Sequence, residues 1–412
     1  MTTLIFNIGI LVNVRKVHSL LYGKDLAMLP CIHNAFLIVQ DGKIADYGSM
    51  QDIPFPVTDF KNRYSAEGRC ILPSFCDSHT HLVFAGSRED EFVDKIKGLS
   101  YAEIAARGGG ILNSAKRLQE TSEEDLFQQS FKRLQEVMRS GTGAIEIKSG
   151  YGLTVEDELK MLRVIQRLKK SVSIPVRATF LGAHTFPGQY KENREAYIRL
   201  IIEEMLPRVG RESLADYIDV FCEKGFFTPE ETIKICQAGK EFGLKPKIHA
   251  NQLNTSGGVQ AGVQLNAVSV DHLESMDEEA ISCLASSKTI GTLLPTAAFF
   301  LRMPYQPARK LIDSNCAIAL ASDYNPGSSP SGNMNFVIAI SCIQMRMLPE
   351  EAINASTLNG AYAMELQDEV GSITKGKSAN LVMTVPVPSI QYLPYSFGSN
   401  LIEKVMVNGE FI

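Results

Sequence analysis

No apolar stretch in this sequence reaches the roughly 18 residues that a transmembrane helix needs. The opening segment, MTTLIFNIGILVNV, has neither the basic start nor the small-residue cleavage site of a secretory signal. A membrane is therefore not an expected partner, and a cytoplasmic address is expected. Basic clusters are lacking as well. With 41 Lys and Arg against 46 Asp and Glu, the formal net charge is −5, and nowhere are positive charges dense enough to follow a phosphate backbone, which argues against nucleic acid. Cys-x-x-Cys pairs are absent. The eight cysteines are scattered from Cys31 to Cys342, mostly among apolar neighbours, the pattern of reduced, buried thiols in a reducing compartment. What is present is an ordinary globular composition, 45% hydrophobic and 21% charged over 412 residues, sufficient for one large barrel and a smaller domain.

The two ends of the chain resemble each other. AFLIVQDGKIADYG places Asp41-Gly42 between two strand-like runs, and KVMVNGEFI places Asn408-Gly409 likewise; both dipeptides accept the positive φ angles of a two-residue hairpin. Residues 1–70 and 370–412 are therefore expected to be antiparallel β structure, joined into one composite β-sandwich domain. Between them, over 71–369, short apolar runs alternate with amphipathic stretches. GAIEIKSG, PVRATFLGAH, KPKIHAN, AVSVDHLE, TIGTLLPT and AIALASDYN read as strands; TVEDELKMLRVIQRLKK and TPEETIKICQAGKEFG read as helices. The second helix has Thr228 as cap, Pro229 in the first turn and Glu231 three residues after the cap, a capping-box signature. This alternation predicts parallel βα units. Because the strand-like runs end in His79 and His81, Lys148, His184, His249, His272 and Asp323, the expected α/β fold is a (β/α)8 TIM barrel, which gathers the ends of all its strands at one mouth.

Histidine is scarce, and its placement is uneven. Five of seven lie at strand ends, while His18 and His33 fall in the terminal β segment and are read as structural or surface residues. In DSHTH the alternation of a strand projects His79 and His81 to the same side, with Cα atoms roughly 6.6 Å apart. Neutral imidazoles and a carboxylate suit Zn2+ or Fe2+, and His79, His81, His249 and Asp323 fit that set. A cation held by them lowers the pKa of water toward about 7. Asp323 can also accept the proton that water loses, besides ending a strand before the Asn325-Pro326-Gly327 turn.

LPSFCDSHTHLVFAGSRE resembles the first-strand signature of the amidohydrolase superfamily and, more narrowly, of the imidazolonepropionase family, ring-opening hydrolases of histidine degradation. EIKSGYGL, FLGAH, HANQ, VDHLE and ASDYNPGSSP are similar to that family in order and spacing, and the resemblance spans essentially the whole chain. It implies hydrolysis of the cyclic-amide C–N bond of 4-imidazolone-5-propanoate to N-formimidoyl-L-glutamate. The implied cofactor is one divalent metal per chain, Zn2+ or Fe2+/Fe3+, on His79, His81, His249 and Asp323, and a homodimer is compatible with it. The resemblance also implies that Arg88 holds the propionate and that Tyr151 contacts the substrate. His184 and Gln252 would meet the imidazolone ring, and Asn325, Gly327 and Ser328 the ring or the opened product. Asp323, His272 and His184 are the implied catalytic groups, with His272 orienting the nucleophile or stabilising the oxyanion. Read alone, Arg88 fits a surface ion pair to Glu89 or Asp90 better, and Tyr151 an ordinary amphipathic tyrosine.

Two positions depart from wider superfamily patterns. Gln252 stands where related deaminases carry a proton-shuttling Glu; an amide has no titratable proton, which argues against deamination. Lys148 stands where many members carry a carboxylated, metal-bridging lysine. The imidazolonepropionase resemblance instead implies one metal and an ion-paired lysine, with Glu146 or a nearby carboxylate as partner. Other readings remain open at this point: another cyclic amidohydrolase or aminohydrolase of dihydropyrimidine, hydantoin or guanine type, or a metal-less scaffold of the same fold.

Overall fold

The computed structural model describes residues 2–99, 103 and 109–412. Its centre is a ring of eight parallel strands in chain order: β6 (Phe75–Thr80), β7 (Thr142–Lys148), β8 (Val176–Ala183), β9 (Tyr217–Cys222), β10 (Lys245–Ala250), β11 (Ser269–His272), β12 (Ile290–Leu293) and β13 (Ile318–Leu320). The seam between β13 and β6 is closed just past the end of β13, where Asp323 N donates to His79 O (3.0 Å) and His81 N to Tyr324 O (2.9 Å). Asp77 reinforces it by accepting from Ser322 N and Oγ at 3.0 and 2.6 Å. Every residue of β6, β7 and β9 is buried, as strands sheathed by helices require.

The helices follow from sequence signals. Val155–Ser171 buries Leu159, Leu162, Ile165 and Leu168 along one stripe. Thr154 caps it, with acidic residues in the first turn and Lys169 and Lys170 in the last, complementing the backbone dipole. At Thr228 the expected capping box is present: Oγ1 accepts from Glu231 N, and Glu231 Oε2 accepts from Thr228 N. Among the described residues, no helix is long and apolar enough to cross a membrane. No disulfide is present, and five of the eight cysteines are buried.

The terminal segments form a second sheet with strand order β16-β15-β14-β5-β1-β2-β3. Its members are β1 (Thr2–Val12), β2 (Cys31–Gln40), β3 (Lys43–Ser49), β4 (Asn62–Ser65), β5 (Arg69–Pro73), β14 (Leu381–Pro386), β15 (Ile402–Val407) and β16 (Glu410–Phe411). Both expected hairpins occur, with positive φ at Asp41, Gly42, Asn408 and Gly409. The sheet coils until these turns touch: a Cβ on Gly42 would sit 2.9 Å from Asn408 O. The sheet is mixed rather than wholly antiparallel. After β3 the chain crosses back through short 3-10 turns, so that β4 and β5 both run parallel to β1, along its two halves. One face, including Ile5, Ile8, Leu37 and Met406, closes over its own core; the other, including Val12, Leu72 and Val405, joins the main core of the barrel.

Candidate metal centre and substrate pocket

The pleat of β6 brings His79 and His81 to one side, with ring centroids 5.3 Å apart. His249 comes from β10, His272 from the last residue of β11, and Asp323 from just past β13. His272 and Asp323 carry left-handed backbone, φ +87° and +52°, which turns each side chain off its strand at a cost of order 1–3 kcal/mol. Candidate ligand atoms of His79, His81 and His249 all lie within 4.8 Å of one another, as do those of His79, His272 and Asp323. Asp323 Oδ1 is 3.7 Å from His79 Nε2 and 3.6 Å from His81 Nε2.

Hydrogen bonds behind these rings determine what the front atoms can do. His79 Nδ1 donates to Asp271 Oδ2 (2.6 Å) and His249 Nδ1 to Asp219 Oδ2 (2.9 Å), leaving each Nε2 a bare lone pair facing inward. His79 Nε2 is buried without a hydrogen-bond partner, and His249 Nε2 faces His81 Nε2 at 3.3 Å. Burial first, and then the charge of Lys148, holds His79 well below the usual histidine range. Burial and the neighbouring His184 and His249 do the same for His81. Neutral imidazoles with orphaned inward nitrogens beside a carboxylate are a donor set that fits a divalent cation.

Beneath this cluster lies a layer of fully buried charge. Lys148 Nζ donates to Glu146 Oε1 (2.6 Å) and Asp219 Oδ2 (2.8 Å), with Asp271 Oδ2 at 3.7 Å. Lys247 Nζ bonds Glu146, Ser78 O and Ala363 O. Burial disfavours ionised Asp219, but His249 and Lys148 outweigh it and hold the group well below the carboxylate range. Lys148 is thus ion-paired, with Glu146 as expected, and it lies in the barrel interior rather than at the mouth.

Above the cluster opens a cavity of about 350 Å³ lined by Arg88, Tyr151, His184, Gln252, His272, Asp323, Asn325, Gly327 and Ser328 among others. Every expected site residue except the deeper His79 lines it, whereas His18 pairs with Tyr362 and Asp368 elsewhere and His33 is exposed on β2. His184 stacks on His81 at 5.3 Å with 14° between planes. Its Nδ1 donates to Gly150 O at 3.0 Å, so Nε2 is the acceptor. Burial, then His249, push His184 down to about 3. His272 is opposed by burial, but Glu274 and then Asp323 and Asp271 raise it above the histidine range. The Asn325 amide is spent on its own turn: Nδ2 donates to Asp323 O and Ser328 Oγ, and Oδ1 accepts from Gly327 N and Ser328 N.

Arg88 does not pair with Glu89 or Asp90. Its Nε and Nη2 both donate to Glu91 Oε2, at 2.9 and 2.6 Å, because Arg88 caps the helix Glu89–Ile96 and the residue three positions on faces back toward it. Glu89 turns instead to Ser87.

Several supporting residues escaped sequence reasoning: Asp219, Asp271, Glu91, and Glu158, whose carboxylate accepts from Gly150 N, Gly152 N and Leu153 N. For Asp219 a signal existed, since YIDVFC is a run of β-branched and aromatic residues between helical stretches.

Residues 70–412 match the model of the amidohydrolase family. Over the full length of both chains, the protein is 59% identical to an imidazolonepropionase of Flavobacterium johnsoniae and 54% identical to an imidazolonepropionase of Christiangramia forsetii. Among solved structures, E. coli guanine deaminase is similar at a TM-score of 0.73 and 15% identity, over 100% of this chain and 99% of that one; the likeness is one of fold.

Proposed function

The chain belongs to the amidohydrolase family, among its imidazolonepropionase members, and we infer that it hydrolyses the ring C–N bond of 4-imidazolone-5-propanoate to N-formimidoyl-L-glutamate, a step of histidine degradation. The observation that supports this reading best is one cavity with neutral histidines and Asp323 at its floor and the Arg88 guanidinium at its wall.

His79, His81, His249 and Asp323 would hold one Zn2+ or Fe2+/Fe3+ ion, which when bound lowers the pKa of water toward about 7 and polarises a carbonyl. Lys148 is unsuited to bridging a second ion: burial disfavours its ammonium, but Asp219, Glu146 and Asp271 together raise its pKa and keep it protonated. The ring carbonyl carbon gains the oxygen of a water molecule, and the bond to the ring nitrogen breaks. Asp323, raised above the usual carboxylate range by burial, takes the proton from that water and returns it to the departing nitrogen. His272 donates to the oxygen that becomes charged. His184 accepts a ring N–H through Nε2, the nitrogen left free by its bond to Gly150. Gln252 donates to or accepts from the ring amide. Arg88 meets the propionate, and Tyr151 packs beside the ring. Asn325 shapes the turn that presents Gly327 and Ser328. The eight unpaired cysteines suit a reducing compartment, and the cytoplasm is the location we propose.

The test is turnover of 4-imidazolone-5-propanoate, followed by loss of ring ultraviolet absorbance, with metal analysis of the same sample. Turnover with one ion per chain is expected. Metal-replete protein that leaves this compound intact overturns the reading.

A further inference from the structure

Resting on that reading, we propose that Lys95 is a second carboxylate-binding residue, supplying the net positive charge that selects an acidic substrate side chain. The argument begins with what Arg88 has left to offer. Two of its nitrogens are committed to Glu91, whose other oxygen accepts from Gly110 N (3.1 Å) and Asn113 Nδ2 (3.0 Å). Arg88 and Glu91 together therefore carry no net charge, and the pair is anchored to the start of the helix Ile111–Glu120. The guanidinium keeps only Nη1 free of Glu91, and that atom lies against Gly327, where a Cβ would come within 2.2 Å of it.

Lys95 lies two turns further along the same helix and lines the same cavity. Its Nζ donates to Gly327 O at 3.0 Å, so the two cations flank one residue, Gly327, from two sides. An ammonium has three protons, and this bond uses one. Phe300 lies under the ammonium at 5.5 Å and offers no countercharge. Among the described residues, no carboxylate forms an ion pair with Lys95: Glu91 acts on it only from a distance and is already bonded to Arg88. A substrate carboxylate seated here meets Arg88 Nη1 and the two remaining protons of Lys95, an arrangement of charge-assisted bonds that a neutral side chain cannot replace.

The test compares Lys95→Met, which keeps the apolar stem, with Lys95→Arg in metal-loaded enzyme. The proposal expects KM for 4-imidazolone-5-propanoate to rise at least about tenfold in the Met variant, to rise far less for the corresponding side-chain amide, and to be largely recovered in the Arg variant. A stable probe gives the same comparison without turnover: calorimetric binding of 3-(imidazol-4-yl)propionate should weaken in the Met variant while binding of its amide holds. An unchanged KM for the acid overturns the proposal. So does an equal rise for acid and amide, since that would make Lys95 a brace for the Gly327 turn alone. If Lys95→Met does not fold, Lys95→Gln and the probe titration carry the same decision. Failure of the unaltered enzyme to turn over the acid would count against the functional reading, not against Lys95.

Discussion

Lys148 Nζ lies 2.8 Å from Asp219 Oδ2, the oxygen that also accepts from His249 Nδ1 at 2.9 Å. The same ammonium is 3.7 Å from Asp271 Oδ2, which accepts from His79 Nδ1. One buried cation thus stands behind both carboxylates that fix the ring orientation and tautomer of two candidate ligands. Histidine ligands depend on such partners for basicity and aim.

Replacing Lys148 by Met keeps roughly its length and removes its charge. Asp219 and Asp271 would then lose this ammonium and Glu146 would keep Lys247 alone, and removing one partner of a buried ion pair costs about 3–5 kcal/mol. Metal affinity should weaken by about 10- to 100-fold through the loosened carboxylate–histidine pairs, read by chelator competition alongside urea unfolding. The stoichiometry at saturation should stay at one ion. A fall from two ions to one would instead identify Lys148 as a bridging ligand.

Glu158 governs the loop that presents Tyr151 and orients His184. Its carboxylate accepts three backbone N–H groups, two of them on Oε1, and a Cβ on Gly152 would lie 2.3 Å from Glu158 N. In Glu158→Gln, the amide nitrogen must face at least one backbone donor that it cannot accept from. Stability should fall by about 1–3 kcal/mol, and the amides of Gly150, Gly152 and Leu153 should exchange with solvent much faster. If their protection is unchanged, Glu158 does not hold the loop.

The difference between Glu158 and His79 shows which parts of this protein can be read in its sequence. Residues that must face the reaction sit at strand ends, where ionisable side chains interrupt an apolar run, so His79, His81, His249, His272 and Asp323 stand out without a structure. Their supports do not. Asp219 lies mid-strand in β9, and only the parallel pairing of β9 with β10 carries it to His249. Asp271 precedes a histidine that draws the attention, and it serves a different histidine, His79, 192 positions away. Local patterning did place the two hairpins and the Thr228 capping box, since those depend on neighbours in sequence. The parallel arrangement of β4 and β5 on β1 was not legible, because it depends on how a long connection folds back. Arg88 shows the same limit over a short range: adjacency suggests Glu89 or Asp90, but helical geometry favours Glu91.

Lys377 offers a test by pH, remote from the pocket. Burial pushes its ammonium down to about 8, while Nζ donates to Val370 O and Ser372 Oγ. Because the folded pKa lies below that of the unfolded chain, the unfolded state binds more protons between about pH 8 and 10.4. The contribution of this group to stability therefore rises with pH across that window and is least favourable below it. Measured from pH 7 to 10.5, the unfolding free energy of the unaltered protein minus that of Lys377→Met should increase. A flat or falling difference would mean that the lysine is not desolvated in solution.

Gly327 is required for the space it leaves rather than for its backbone angles. A methyl group there would come within 2.2 Å of Arg88 Nη1 and 2.6 Å of Cζ. The guanidinium cannot swing aside without giving up its paired bonds to Glu91, so Gly327→Ala should displace the group proposed to meet the propionate. Loss of one charge-assisted contact corresponds to about tenfold in affinity. KM for 4-imidazolone-5-propanoate should rise by about that factor, and the melting temperature should fall as the buried Arg88–Glu91 pair is strained. An unaltered KM in a folded Gly327→Ala variant would show that the seat of Arg88 has no part in substrate binding.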